Sequence, residues 1–314
     1  MPASQPRKQS RTGVALDDWP AKRQRLCDLV RGASVEISAR DPAAIETLTA
    51  LLPADTTVYV NFAASDTHHR LVAMAVRLRQ AGFRPVPHVA ARHLASYTQL
   101  NDYLARATGE AGVEQVLVVG GDVDRPVGPF QSSLQILQTD LFSRHGLREV
   151  AIAGYPEGHS EIDDPSLRRA LLGKLAFLQQ AGIAASIVSQ FCLEAAPIRD
   201  WLQDLRTAGV AAPVRIGLAG PTGIAALARY AVRCGIGASI RSLVRGQTSL
   251  ARLVVEAGPE PLLWDFVSAA EGMPDMAGLH FFPFGGLQRT GNWMQAMVRG
   301  DITPAPDGGG FRCR

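Results

Sequence analysis

Eight short apolar runs, each followed by a longer segment of helical spacing, constrain this chain more than any other feature. They are Ser34–Ser38 (SVEIS), Thr57–Ala63 (TVYVNFA), Arg84–Ala90 (RPVPHVA), Gln115–Gly120 (QVLVVG), Glu149–Gly154 (EVAIAG), Ala185–Phe191 (ASIVSQF), Pro213–Leu218 (PVRIGL) and Gly278–Pro283 (GLHFFP). Nearly continuous apolar character fits strands covered on both faces, as in a parallel sheet crossed by helices. The intervening segments agree. His68–Gly82 puts Leu71, Val72, Ala75, Val76 and Leu78 on adjoining faces and closes on glycine, and the segments ending at Gly182, Gly209 and Gly235 close the same way. An open doubly wound sheet usually has about five to seven strands, whereas eight strand–helix units close an α/β (β/α)8 TIM barrel.

The 314 residues would allow two domains on length alone. No Pro- or Ser-rich linker divides the chain, so the expectation is one barrel domain over residues 17–303. An extra N-terminal helix is expected near Asp17–Gly32, a flexible tail over residues 1–16 and a loose C-terminal tail over 304–314. The wide gap between the seventh and eighth runs is expected to hold helices near Thr248–Gly258 and Pro261–Gly272.

A hydrophobic content of 46% excludes a mostly disordered chain. With 32 Lys plus Arg against 29 Asp plus Glu, the net charge of +3 provides no whole-protein field for nucleic acid. The basic cluster Arg7, Lys8, Arg11, Lys22, Arg23 and Arg25 reads as a solvated tail and helix face. Cys27, Cys192, Cys234 and Cys313 form no C-x-x-C pair and have no His at metal spacing, so neither a disulfide framework nor a metal site is indicated. Residues 1–13 lack the apolar core of a signal peptide, and the uncharged stretch Leu175–Leu193 is broken by Gln179, Gln180, Ser186, Ser189 and Gln190. A cytoplasmic protein with no membrane partner is expected.

Active sites of such barrels lie at the carboxyl ends of the strands. Polar residues at or near those ends are Glu36, Asn61, His88, Asp122, Tyr155, Glu157, His159 and Gln190. Glu36 sits in an apolar run, where desolvation would raise its pKa and make it a general acid; the other reading pairs it with a barrel Arg. Gly120-Gly121-Asp122 either brings backbone close to a flat or phosphorylated ligand or is a plain turn. His88 either hydrogen-bonds a ligand or is structural, and His68 and His69 read as a solvated helix start. The stretch Ala153–Glu161 (AGYPEGHSE) carries groups able to hold a ribose, a phosphate or a ring edge. It also reads as a capping loop with Ser160 as cap and Glu161, Asp163 and Asp164 on the helix dipole.

In order along the chain, these motifs resemble the flavin-dependent methylenetetrahydrofolate reductase family. The matches are Glu36 in the first strand, Pro87-His88 in the third, Gly120-Gly121-Asp122 after the fourth, Gly154–Glu161 after the fifth, Ser189-Gln190-Phe191 at the sixth and His280-Phe281-Phe282 at the eighth. The resemblance implies a barrel holding FAD that passes a hydride between the reduced flavin and a folate substrate, interconverting 5,10-methylene- and 5-methyltetrahydrofolate. It casts Glu36 as the acid that protonates the bridging nitrogen and Asp122 as a carboxylate beside both flavin and pterin. Gln190 becomes the pterin's hydrogen-bond partner, Asn61, His88, Gly121, Tyr155 and His159 line the FAD, and Lys174 reaches its ribose or phosphate.

The chain departs from the family where Gly120 replaces an arginine, Leu178 a lysine, and Pro283-Phe284-Gly285-Gly286 a Thr-Leu-Asn-Arg run; no stacking aromatic is evident in Ile236–Gly246. The electron partner is therefore NAD(P)H or another donor or acceptor. A catabolic oxidase of methyltetrahydrofolate and a non-catalytic pterin- or flavin-binding subunit stand as alternatives, and a homo-oligomer is possible on sequence grounds.

Overall fold

In a computed structural model, described for residues 18–63, 65–233, 256–269, 276–306 and 308–313, the eight apolar runs are strands within about two residues of the expected bounds. They are β1 (Ser34–Ser38), β2 (Thr57–Asn61), β3 (Arg84–Ala90), β4 (Gln115–Val119), β5 (Glu149–Gly154), β6 (Ala184–Cys192), β7 (Val214–Ala219) and β8 (Gly278–Phe282). Each pairs in parallel with its neighbours, and β8 closes onto β1 through Ser34↔His280 and Val35↔Phe281. The protein is a single-domain (β/α)8 barrel.

Alternation along each strand sorts the side chains into two environments. Val35, Ile37, Val58, Val60, Val116, Val118, Val150 and Ile152 point outward and are buried in the main core beneath the helices. Tyr59, Val86, Leu117, Ala151 and Val188 form a second, internal cluster. Two residues earlier along their strands, Gln115 donates to Glu149 at 2.6 Å and to Ser186 at 3.1 Å, a polar floor for that layer. Two residues later, Asn61 and His88 face the carboxyl-terminal mouth, and Glu36 lies in register with Tyr59.

The helices begin where short polar side chains satisfy free backbone donors. The helix His68–Gln80 is capped by Thr67, which accepts from Arg70 N, and the helix Tyr97–Ala111 by Ser96, which accepts from Gln99 N. Asp163 caps the helix Asp164–Gln180 by accepting from Ser166 N, which corrects the expectation that Ser160 is the cap. The N-terminal helix spans Trp19–Arg31 and buries Leu26, Cys27 and Val30.

Residues 304–314 are not a loose tail where they are described. Ile302–Pro304 pairs antiparallel with Phe311–Cys313, and Phe311 is buried. The expected helix Pro261–Gly272 is present as Glu260–Ser268. The one expected at Thr248–Gly258 lies mostly outside the described residues, and its last part, Glu256–Ala257, is a short strand paired with Thr222–Gly223. Residues 1–17, with Arg7, Lys8 and Arg11, and Cys234 also lie outside. Among the described residues no helix is long and apolar enough to cross a membrane.

Candidate active site

The barrel brings Glu36 together with side chains from three other strands. Its Oε1 accepts from the Asn61 amide at 3.2 Å, and its Oε2 lies 3.3 Å from Nε2 of His88 and 3.8 Å from Nε2 of His280. Glu36 therefore has histidine and asparagine neighbours, not the arginine that one sequence reading paired with it. On the far side of His280, Nδ1 lies 2.9 Å from Ser34 Oγ, and the Tyr59 ring meets the imidazole edge-on at 4.7 Å.

Burial pushes the Glu36 carboxyl up, but His280 and His88 facing it outweigh burial and hold it well below the usual carboxylate range. This reverses the expectation from burial alone. The sequence shows the apolar run around Glu36 but not that β3 and β8 each deliver an imidazole to one of its oxygens. Burial lowers His280, against the opposing pull of the Glu36 carboxylate. Burial likewise raises the Tyr59 phenol.

A cavity of about 650 Å3, with no residue of this axial cluster in its wall, opens between the ends of β4 and β5 and the helices Asp164–Gln180 and Ala195–Thr207. That volume falls within the range of small-molecule and cofactor sites. Its wall includes Gly120, Tyr155, Trp201 and Lys174, with Arg92 and Arg168 among its basic residues and Asp164, Asp200 and Asp204 among its acidic ones. Gly154 lets Trp201 close in, because a Cβ there would stand 2.7 Å from the indole. Lys174 is 7% exposed, and no ion pair or hydrogen bond joins it to any described residue. Burial lowers its amine to about 8.

The remaining candidates sit on the loops above the strands. Asp122 Oδ1 lies 2.8 Å from His93 Nε2, so the Gly-Gly-Asp turn is anchored to the 3-10 turn Ala91–His93 that follows β3. Gly121 has φ +100°, which strains any side chain, and a Cβ there would stand 3.0 Å from the His93 ring, which would have to give way. Tyr155 and His159 meet edge-on at 5.5 Å, and His159 Nδ1 accepts from Glu161 N at 3.1 Å. Glu157 accepts from Leu193 N at 2.8 Å, tying this loop to the exit of β6. Gln190 occupies a bulge and turns its side-chain carbonyl back to accept from Phe191 N at 3.0 Å, which leaves the NH2 end of its amide for other partners. The sequence-derived set thus divides. Glu36, Asn61 and His88 lie on the axis, Tyr155 and Lys174 on the cavity, and Gly121, Asp122, His159 and Gln190 on the loops.

Four further residues belong to this region. His280 carried the same signal as Glu36, a polar side chain inside an apolar run, and its place in β8 makes it the counterpart of Glu36 across the β1–β8 seam. Tyr59 reads as plain core. Arg92 and Trp201 lie on a 3-10 turn and a helix, where a search of strand ends does not look. Arg92 hydrogen-bonds Gln131 O at 3.0 Å and Val123 O at 3.3 Å, and its backbone N donates to Gly120 O at 2.9 Å. His68, read as solvated, is instead buried between Phe62 and Tyr103 at ring distances of 5.0 and 4.7 Å. Among the described residues no three His, Cys, Asp or Glu side chains are grouped to hold a metal ion.

No protein-family model matches the chain. Among solved structures it is similar to the dihydropteroate synthase FolP of Thermus thermophilus, at 14% identity and a TM-score of 0.45, covering 85% of this chain and 93% of that one. A likeness of that degree decides nothing about ligand or reaction.

Proposed function

We propose that this chain is a FAD-dependent oxidoreductase that interconverts 5,10-methylenetetrahydrofolate and 5-methyltetrahydrofolate. The observation that carries the reading is Glu36, a carboxylate enclosed by Asn61, His88 and His280 in the barrel; a separate cavity of cofactor size lies at the ends of β4 and β5.

The residues present fit a dinucleotide flavin on one count above all. Lys174 is a buried amine without a partner among the described residues, and a pyrophosphate would supply the negative charge it lacks. Arg92 and Arg168 add positive charge to a cavity that also carries Asp164, Asp200 and Asp204, and Tyr155 and Trp201 offer ring surface. When bound, FAD supplies the hydride chemistry.

The chain's own tasks are then binding, orientation and one proton. Glu36 is the group placed to protonate the bridging nitrogen of the folate, which opens the five-membered ring toward the reactive iminium. Asn61 fixes one carboxylate oxygen, so the proton is delivered from the other. Asp122, held by His93, and the NH2 end of Gln190 are the hydrogen-bonding groups for the pterin edge. The apolar layer of Tyr59, Val86 and Leu117 closes the barrel beneath them.

The test is a titration of the purified, flavin-stripped protein with FAD. Saturable quenching of flavin fluorescence, competed by ADP-ribose through the Lys174 cavity, is expected. A protein that is colourless as purified and does not bind FAD on titration would sink the reading.

A further inference from the structure

Glu36 as an acid needs a proton that the free chain does not leave on it, and the geometry around His280 accounts for where that proton is kept. We propose that His280 is a positioning residue that holds, between its Nε2 and Glu36 Oε2, the proton Glu36 delivers; this rests on the reading of Glu36 as the acid.

The Ser34 hydroxyl beside His280 has a single proton to donate. Ser34 Oγ lies 3.4 Å from the Leu279 carbonyl and 2.9 Å from His280 Nδ1. When the hydroxyl proton goes to the carbonyl, Ser34 accepts from Nδ1, and a neutral His280 then turns the bare Nε2 toward the Glu36 carboxylate. A lone pair facing a carboxylate in a water-poor interior is unfavourable unless a proton lies between them. His280 Nε2, 3.8 Å from Glu36 Oε2, and His88 Nε2, 3.3 Å from the same oxygen, are both buried with no hydrogen-bond partner. A proton on His280 Nε2 replaces the lone pair that faces the carboxylate with an attractive N–H.

The groups facing His280 decide the form that proton takes. Glu36 on β1 favours it, whereas His88 on β3 and Arg215 on β7 oppose added positive charge, and Tyr59 on β2 packs against the ring as a neutral phenol. The proton therefore enters as a charge-neutral Glu36–His280 pair, because a lone imidazolium and a lone carboxylate are each penalised by burial. On delivery, one proton leaves the pair for the substrate's nitrogen, leaving the carboxylate and a neutral imidazole. A proton from solvent restores the pair. Nothing is oxidised or reduced in the step.

The test uses the whole chain carrying 15N-labelled histidine, without folate, titrated by NMR; His280 is assigned by the signal lost in His280→Gln. The expected result is Nδ1 protonated throughout and an Nε2 protonation midpoint that falls by about one unit or more in Glu36→Gln, because the neighbouring carboxylate is gone. Glu36→Asp, which keeps the charge but withdraws it, gives an intermediate shift and serves if Glu36→Gln does not fold. A midpoint that does not move in either variant, or an Nε2 that never takes a proton, overturns the proposal. The two readings fail separately. Folate turnover with a His280 titration indifferent to Glu36 removes the shared proton and leaves the reaction, whereas a coupled titration in a protein that binds no FAD does the reverse.

Discussion

Replacing Lys174 with methionine should make the flavin-free protein more stable and the flavin-bound protein harder to form. Burial lowers this amine from its ordinary 10.5 to about 8. The difference, 10.5 − 8, is about 2.5 units, and at about 1.36 kcal/mol per unit the charged amine costs the fold about 3 kcal/mol near neutral pH. Methionine keeps an unbranched stem and removes the charge. A gain of about 1–3 kcal/mol is expected in urea unfolding of FAD-free protein, with a rise in melting temperature of several degrees. The sign with pH is fixed. The folded-state pKa lies below the unfolded one, so the unfolded chain binds more protons between about 8 and 10.5, and wild-type stability climbs toward that of the variant over this range. FAD affinity should fall about tenfold or more, since a buried charge-assisted contact to phosphate is removed. A variant no more stable than the wild type at pH 7 would refute the reasoning, because it would mean the amine is already compensated.

Other perturbations test neighbouring parts of the account. Glu36→Gln should lower folate turnover by about a hundredfold or more while reduction of the flavin by an electron donor persists, as separate half-reactions by stopped flow will show. Gly154→Ala places a methyl 2.7 Å from the Trp201 ring and 2.9 Å from Ile187 Cγ2. It should cost about 1–3 kcal/mol in denaturant unfolding and weaken FAD binding with it. His68, buried against Phe62 and Tyr103, is lowered to about 4, mainly by burial. The stability it contributes is complete above its ordinary 6.5 and is lost as pH falls from there toward 4, so His68→Phe should flatten the acid limb of a stability–pH curve.

The barrel was legible because its strands are buried on both faces and therefore announce themselves as continuous apolar runs. Polar breaks in those runs, Glu36 in SVEIS and His88 in RPVPHVA, marked the axial site for the same reason. The charge state of Glu36 was not legible. It depends on His88 and His280, which are 52 and 244 residues away in the chain and meet Glu36 only when the barrel closes (88 − 36 and 280 − 36). Lys174 was placed on a ligand by resemblance, yet its burial and lack of a partner follow from the packing of two helices over the β5 exit. Arg92 and Trp201 are invisible from strand ends alone, because the cavity takes much of its wall from helices. The C-terminal hairpin was hidden behind Pro304, which ends its first strand, and behind Pro306 and the glycines 308–310, which read as a loose tail although they lie between two paired strands.

The central claim is that this barrel passes a hydride between a bound flavin and a folate, and anaerobic half-reactions test it most directly. Purified protein loaded with oxidised FAD is mixed anaerobically with 5-methyltetrahydrofolate while the flavin absorbance band is followed. The account predicts that the band bleaches at a rate compatible with turnover, returns when 5,10-methylenetetrahydrofolate is added, and does neither in Glu36→Gln. A flavin band that neither folate changes, in protein shown to bind FAD, would contradict it.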